Sequence, residues 1–255
     1  MVRPKKHLGQ HFLTDRNIAT RIVGLLDGSD CDTIVEIGPG KGILTRHLIE
    51  NKEKNLKLIE IDTESVEYLR NAFPDHKDSV IEADFLRTEL AGLGNKLAII
   101  GNFPYNISSQ IFFRILDNVD RVEEVVCMLQ KEVALRLASG PGNKQYGILS
   151  VLLQAWYDIK VELHVKPGAF FPPPDVHSTV IRLVRNQRQS LECDKGKFNQ
   201  LVKLAFNQRR KILSNSLKSI LLNLDSEIPY LKYRPEQLSV EQFIELCSAI
   251  ENTNP

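Results

Sequence analysis

Thr33-Ile34-Val35-Glu36-Ile37-Gly38-Pro39-Gly40-Lys41-Gly42 reads as a short strand that runs into a glycine-rich turn, with a helical pattern, Ile43–Glu50, behind it. Glycine lacks a Cβ, so the backbone can approach a ligand closely, and the next helix presents free N–H groups there. Two related loops fit poorly. A phosphate-binding loop needs Lys followed by Ser or Thr after four spacers. A dinucleotide fingerprint needs another glycine where Leu44 or Thr45 stands.

Outward from this stretch the same alternation repeats. Candidate strands are Thr33–Ile37, Leu56–Ile61, Ser79–Ala83, Leu97–Gly101, Glu124–Gln130, Lys160–Val165 and Thr179–Val184. Helical patterns lie between them at Ile43–Glu50, Glu64–Ala72, Ser108–Leu116, Lys131–Leu137 and Gly147–Trp156. Strands separated by helices imply a mostly parallel sheet covered on both faces. Only the Pro-rich connector Pro167 through Pro174 joins the last two strands, so a hairpin is expected and the final strand runs antiparallel. The expected fold class is α/β, with a seven-stranded Rossmann-like sheet of the kind that S-adenosylmethionine-dependent methyltransferases use. After Arg185 the polar stretch Asn186–Cys193 reads as a linker. Helical periodicity follows at Phe198–Phe206, Arg209–Leu222 and Val240–Ile250, punctuated by Pro229 and Pro235. The expected division is 1–188 as a catalytic domain and 189–255 as a small all-helical domain.

The strand ends carry the chemistry. Glu60-Ile61-Asp62 closes the second strand, and an acid there can accept both hydroxyls of a ribose; the lesser alternative is a helix-capping or surface acid. The third strand ends Ala83-Asp84-Phe85, where Asp84 can accept from an adenine amino group while Phe85 or Ile61 packs on the ring. The fourth ends Asn102-Phe103-Pro104-Tyr105. Asn102 offers a side-chain acceptor. Pro104 biases Phe103 away from the helical region, so that its carbonyl can turn outward. Tyr105 adds a flat face. Two acceptors beside a ring suit an exocyclic amino group on a planar base; an ordinary strand-to-helix turn has the same spelling. Four such features at consecutive strand ends mark one crevice, because ligands of open α/β sheets bind at those carboxyl ends.

Composition is that of an ordinary globular protein, with 42% hydrophobic and 25% charged residues in 255. No apolar run reaches the roughly 18 residues of a membrane span, and Met1-Val2-Arg3-Pro4-Lys5-Lys6 has no signal-peptide apolar core. Cys31, Cys127, Cys193 and Cys247 lie far apart, which argues against a zinc site or a disulfide framework. A reducing, cytoplasmic setting without metal or membrane is expected. Net charge is only +1, yet seven basic and no acidic residues lie between Lys195 and Leu224, and the first sixteen residues are also basic. Two such zones can line a track for a polyanion or be solvated faces.

The chain resembles the ribosomal RNA adenine N6,N6-dimethyltransferase family over essentially its whole length. The matching motifs are Gly9-Gln10-His11-Phe12-Leu13, Glu36 through Gly42, Glu60-Ile61-Asp62, Asp84, Asn102 through Tyr105, Phe170-Phe171-Pro172-Pro173-Pro174-Asp175-Val176-His177-Ser178, and Phe206-Asn207-Gln208-Arg209-Arg210-Lys211. The resemblance implies S-adenosylmethionine as cofactor. It implies that Gln10, His11 and Leu13 touch the cofactor's methionine end, Gly38 and Gly40 let it approach, Glu60 binds the ribose, and Ile61, Asp84 and Phe85 surround the adenine. Asn102, beside the cofactor, would hold the target base with Tyr105, Pro104 orienting the Phe103 carbonyl and Phe170 closing over the other face; Phe171 is expected in the core. Arg209, Arg210, Lys211, Lys5 and Lys6 are expected to grip RNA phosphates. His11 stands where the family often has Asn, and Phe103 where it often has Leu. Trp156 and the histidines at 7, 47, 76, 164 and 177 have no ligand spacing and are expected to be structural or on the surface.

The expected activity is dimethylation of two adjacent adenosines in a small-subunit rRNA hairpin, within a partly assembled subunit, by a monomer. The alternatives are methylation of a large-subunit adenosine, of the macrolide-resistance type, and an assembly factor that acts mainly by binding.

Overall fold

A computed structural model describes residues 2–5, 8–50, 54–221 and 227–253. Two compact units divide the chain, Met1–Ala134 with Ile159–Arg185, and Leu135–Asp158 with Asn186–Pro255. The expected domain boundary at 188/189 lies close to the Arg185/Asn186 junction. Residues 135–158, expected with the catalytic part, group instead with the C-terminal helices.

The first unit is built on a seven-stranded sheet. Its strands are β2 (Thr33–Ile37), β3 (Asn55–Glu60), β4 (Val80–Glu82), β5 (Leu97–Asn102), β6 (Val122–Gln130), β7 (Tyr157–Val165) and β9 (Ser178–Arg185), in the order β4-β3-β2-β5-β6-β9-β7. Strands β4, β3, β2, β5 and β6 are parallel, and β9 is antiparallel to β6. All five residues of β2 are buried, as a parallel strand covered on both faces requires. One face packs Ile34, Leu58, Ala98, Ile100, Val126 and Met128 against Ala19 and Ile22 of helix α1 (Arg16–Val23). Asp15 caps that helix by accepting from the Ile18 N–H at 3.1 Å, satisfying one of its unpaired first-turn donors. All seven expected strands are present, their ends shifted by a few residues. A further ribbon, β1 (Phe12–Leu13) against β8 (Phe170–Phe171), escaped the sequence because two residues carry no periodicity.

Helices α2 (Thr45–Leu48), α3 (Thr63–Ala72), α4 (Ser108–Asp117) and α5 (Lys131–Leu137) follow α1 in sequence, and the second unit has α6 (Ile148–Gln154), α7 (Lys195–Asn207), α8 (Leu213–Ser216) and α9 (Val240–Thr253). Its core holds Tyr146, Phe206 and Phe243, with successive ring centroids 6.1 and 5.9 Å apart. The Gln154 amide donates to the carbonyls of Leu137 and Ser139, both at 2.8 Å, tying segment 135–158 to itself. The helix expected over Arg209–Leu222 is reduced to α8; Leu222 lies outside the described residues. Ile212 is extended (φ −69°, ψ 156°), and the N–H groups of Leu213 and Ser214 donate to the carbonyls of Tyr233 and Leu231 instead of to a preceding helical turn. Among the described residues no helix is long and apolar enough to cross a membrane.

Candidate active site

A cleft of about 990 Å³, mouth included, runs along the carboxyl ends of β2, β3, β4 and β5. Its lining includes Gln10, His11, Gly38, Gly40, Glu60, Ile61, Asp84, Phe85, Asn102, Phe103, Pro104 and Tyr105. Nearly every expected cofactor and base residue of the first unit therefore meets in one place. Leu13 lines a smaller adjoining recess with Phe12, Glu36, Gly38, Lys41 and Asn102.

The glycine turn shapes the floor. Gly38 (φ +63°) has open space where a Cβ would stand, so any side chain there would project into the cleft. Gly40 (φ +55°) is packed under the Phe12 ring, which a Cβ would meet at 2.7 Å. Glu60 is 4% exposed. Its Oε2 accepts from the Gly40 N–H at 3.0 Å, and its Oε1 accepts from the N–H groups of Ile61 (2.9 Å) and Asp62 (3.0 Å). Three of its roughly four lone-pair sites are thus engaged. Burial pushes its carboxyl upward while those backbone donors oppose the shift. At the far end Asp84 accepts from the Leu86 N–H at 2.9 Å.

Glu36, quoted in the glycine motif but given no role from sequence, is 1% exposed and accepts from the Thr45 hydroxyl at 2.7 Å. Burial pushes its carboxyl up to about 8; the Thr45 bond opposes this and the Glu60 charge adds to it. Two buried carboxyl groups flank the glycine turn.

Asn102 is the last residue of β5. Its Nδ2 donates to the His11 carbonyl at 2.7 Å, and among the described residues nothing donates to its Oδ1. The Phe103 N–H donates to the Met128 carbonyl at 3.0 Å, and the Phe103 ring is buried against Phe112. The Phe103 N–H and ring are therefore both committed away from the cleft that the residue helps to line. The Tyr105 hydroxyl pairs with Ser178 Oγ at 2.6 Å, and burial raises its pKa. Ser178 belongs to the Pro-rich motif and had no separate assignment. His11 stacks on Tyr105 (centroids 5.5 Å, 26°) and its Nδ1 donates to the Pro172 carbonyl at 2.8 Å. One residue thus orients Asn102 through its backbone and Tyr105 through its ring.

Several expectations need correction. Phe170, expected over the base, is 4% exposed and sits opposite Leu13 in the core, whereas Phe171, expected in the core, is 60% exposed opposite Phe12. Neighbours in a strand point to opposite faces, and the β1–β8 register decides which ring goes in. Thermal and chemical unfolding separate the two. Phe170→Ala is expected to cost about 3–5 kcal/mol, and Phe171→Ala to stay within about 0.5 kcal/mol. Lys5, expected on RNA, is ion-paired with Asp62 and lies 3.8 Å from Glu64. Its N–H donates to Gln10 Oε1 at 2.8 Å, which folds the N-terminal segment beside the cleft. Lys6 and His7 lie outside the described residues. In the second unit Arg209 donates to the Asn143 carbonyl at 3.1 Å and stands 3.8 Å from Glu236, so it is held within its own unit. Arg210 and Lys211 are exposed.

A family model described as "Ribosomal RNA adenine dimethylase" matches residues 1–251. The chain is 52% identical over 249 residues to a "Ribosomal RNA small subunit methyltransferase A" of Parabacteroides distasonis, covering 96% of this chain and 93% of that protein. It is 51% identical over 252 residues to a protein of the same description from Cytophaga hutchinsonii, covering 98% of each. Among solved structures, a dimethyladenosine transferase from Plasmodium falciparum superposes with a TM-score of 0.81 at 21% identity, over 95% of this chain and 98% of that one.

Proposed function

The chain belongs to the ribosomal RNA adenine dimethylase family, and from that premise we propose that it dimethylates N6 of two adjacent adenosines in a hairpin of small-subunit (16S) rRNA. The observation that carries the reading is Asn102 at the end of β5, its Nδ2 committed to the His11 carbonyl, set with Phe103, Pro104 and Tyr105 along a nucleoside-sized cleft. The comparisons favour the small subunit, since relatives at about half identity carry that description.

The cleft suits S-adenosylmethionine: Gly38 leaves space above the floor, and Glu60 and Asp84, at the ends of neighbouring strands, both line it. Bound there, the cofactor supplies an electrophilic methyl on a sulfonium. The chain's part is positioning. Adenine N6 is a poor nucleophile because its lone pair is delocalised into the ring. Accepting both of its N–H bonds, at Asn102 Oδ1 and the Phe103 carbonyl, favours a pyramidal nitrogen with the lone pair turned toward the methyl. The nitrogen proton becomes acidic only as the new bond forms, so no strong base is needed before attack. Alignment of this kind supplies up to roughly 7–11 kcal/mol of barrier reduction. The Tyr105 ring offers a stacking face, and stacking tolerates the methyl that the first transfer leaves on the base. Such a base must leave its own stack to enter, so an accessible RNA loop is the fitting substrate. The second unit, with Arg210 and Lys211 exposed, holds the RNA, and the enzyme acts in the cytoplasm on a partly assembled subunit.

Labelled-methyl transfer to unmethylated small and large subunits, followed by mapping of the modified bases, tests the reading. Label is expected on two adjacent small-subunit adenosines. Incorporation only into the large subunit would overturn it, and subunit binding without any transfer would favour an assembly factor.

A further inference from the structure

The segment that fails to continue α7 as a helix creates a surface of its own. The bonds Leu213 N–H to Tyr233 O (2.8 Å) and Ser214 N–H to Leu231 O (2.9 Å) lay Leu213 and Ser214 beside Leu231 and Tyr233, which brings the adjoining residues 210–212 and 232–234 into one neighbourhood. Arg210, Lys211, Lys232, Tyr233 and Arg234 are all exposed there. No acidic residue occurs in 208–218 or in 231–234. Among the described residues, none of these four cations forms a salt bridge, in contrast to Arg209 beside Glu236.

An exposed tyrosine alone needs no explanation. The mounting of this one is what matters. Tyr233 is 52% exposed, yet its backbone is fixed at both ends, its carbonyl by Leu213 and its N–H by the Tyr230 carbonyl at 2.9 Å. Its ring is braced by Tyr230 (centroids 6.3 Å, 62°). Tyr230 takes a left-handed conformation (φ 64°) and donates its hydroxyl to Glu245 on α9. A rigid aromatic platform among unpaired cations matches one kind of ligand well: a base for the ring, and phosphates on either side for the charges.

We propose that this face of the second unit binds an unpaired RNA nucleotide, with Tyr233 stacking on the base and Arg210, Lys211, Lys232 and Arg234 meeting the flanking phosphates. The inference rests on the reading of the substrate as RNA and adds where, and in what form, a second stretch of it is held. An acidic protein surface would use the charges but not the ring.

Anisotropy titrations of the full chain decide it, with three probes: a short unstructured oligoribonucleotide, a duplex RNA of the same length, and polyglutamate, each over a series of salt concentrations. Tyr233→Ala is expected to weaken single-strand binding about 5- to 100-fold without altering the salt slope, while Tyr233→Phe retains affinity. Lys211→Gln should lower the slope of log K against log salt by about 0.7. Unchanged single-strand affinity in Tyr233→Ala would overturn the proposal. So would an equal loss with duplex RNA, or a ring-dependent loss of polyglutamate. The titration reads binding alone, so absence of methyl transfer by the parent protein would sink the proposed function and leave this result standing.

Discussion

Asn102→Ala is expected to lower the rate of methyl transfer at least about 10²–10³-fold, the scale on which loss of one preorganised polar group at a reacting centre is felt, while subunit binding stays within a few-fold. The side chain stands at a strand end with its donor committed to His11 O at 2.7 Å. Its acceptor is therefore aimed before any substrate arrives, and little reorganisation is needed at the moment of reaction. The alanine variant loses the acceptor and leaves the His11 carbonyl without its donor. Asn102→Asp is the sharper control. A carboxylate keeps the shape but sets an oxygen against the His11 carbonyl, so the side chain turns away and transfer falls by a similar factor. Single-turnover kinetics at saturating RNA, beside equilibrium binding to unmethylated subunits, separate the two effects. Near-normal transfer by Asn102→Ala would show that the acceptor pair does not position the amine.

The second large effect concerns stability. Glu36 is fully buried with a carboxyl pushed up to about 8 from an ordinary value of 4.5. A carboxyl whose folded pKa is raised binds its proton more tightly in the folded state. The stability it contributes is fully present below about pH 4.5 and is lost as pH rises through about 8. The full loss is on the order of 5 kcal/mol, and Glu60, also raised, acts in the same sense. Glu36→Gln removes the titration. Unfolding free energies of parent and variant, measured in denaturant from about pH 5 to about pH 9, should converge or favour the parent at the acid end and increasingly favour the variant at the alkaline end. Curves that stay parallel throughout would mean that Glu36 is not protonated in the folded protein. A cationic ligand beside Glu36 and Glu60 favours their ionised forms, so the cost of burying them in the free protein is relieved on binding.

Much of the site was legible because the signals were local. A continuous apolar run becomes a strand wherever both of its faces are covered, and β2, β3, β5 and β6 follow from that alone. A glycine turn, two acids and Asn102–Tyr105 at successive strand ends then fall on one rim, because parallel strands all finish at the same edge. Charge was legible in amount but not in use. Lys5 is spent on Asp62, which lies 57 positions away, and Arg209 on Asn143 and Glu236. The helix expected through Arg209–Leu222 had the right periodicity. It lost to carbonyls of Leu231 and Tyr233, whose approach no local pattern encodes.

The glycine turn Gly38–Gly42 and the strands around it were thus determined by the sequence itself: backbone freedom, burial pattern and strand order of appearance are properties of short segments. Tertiary structure decided which of Phe170 and Phe171 enters the core, that His11 holds Asn102 and Tyr105, and that Glu36 lies dry beside Glu60. Each of those depends on a partner far along the chain, and register, pairing and desolvation exist only once the partner has arrived.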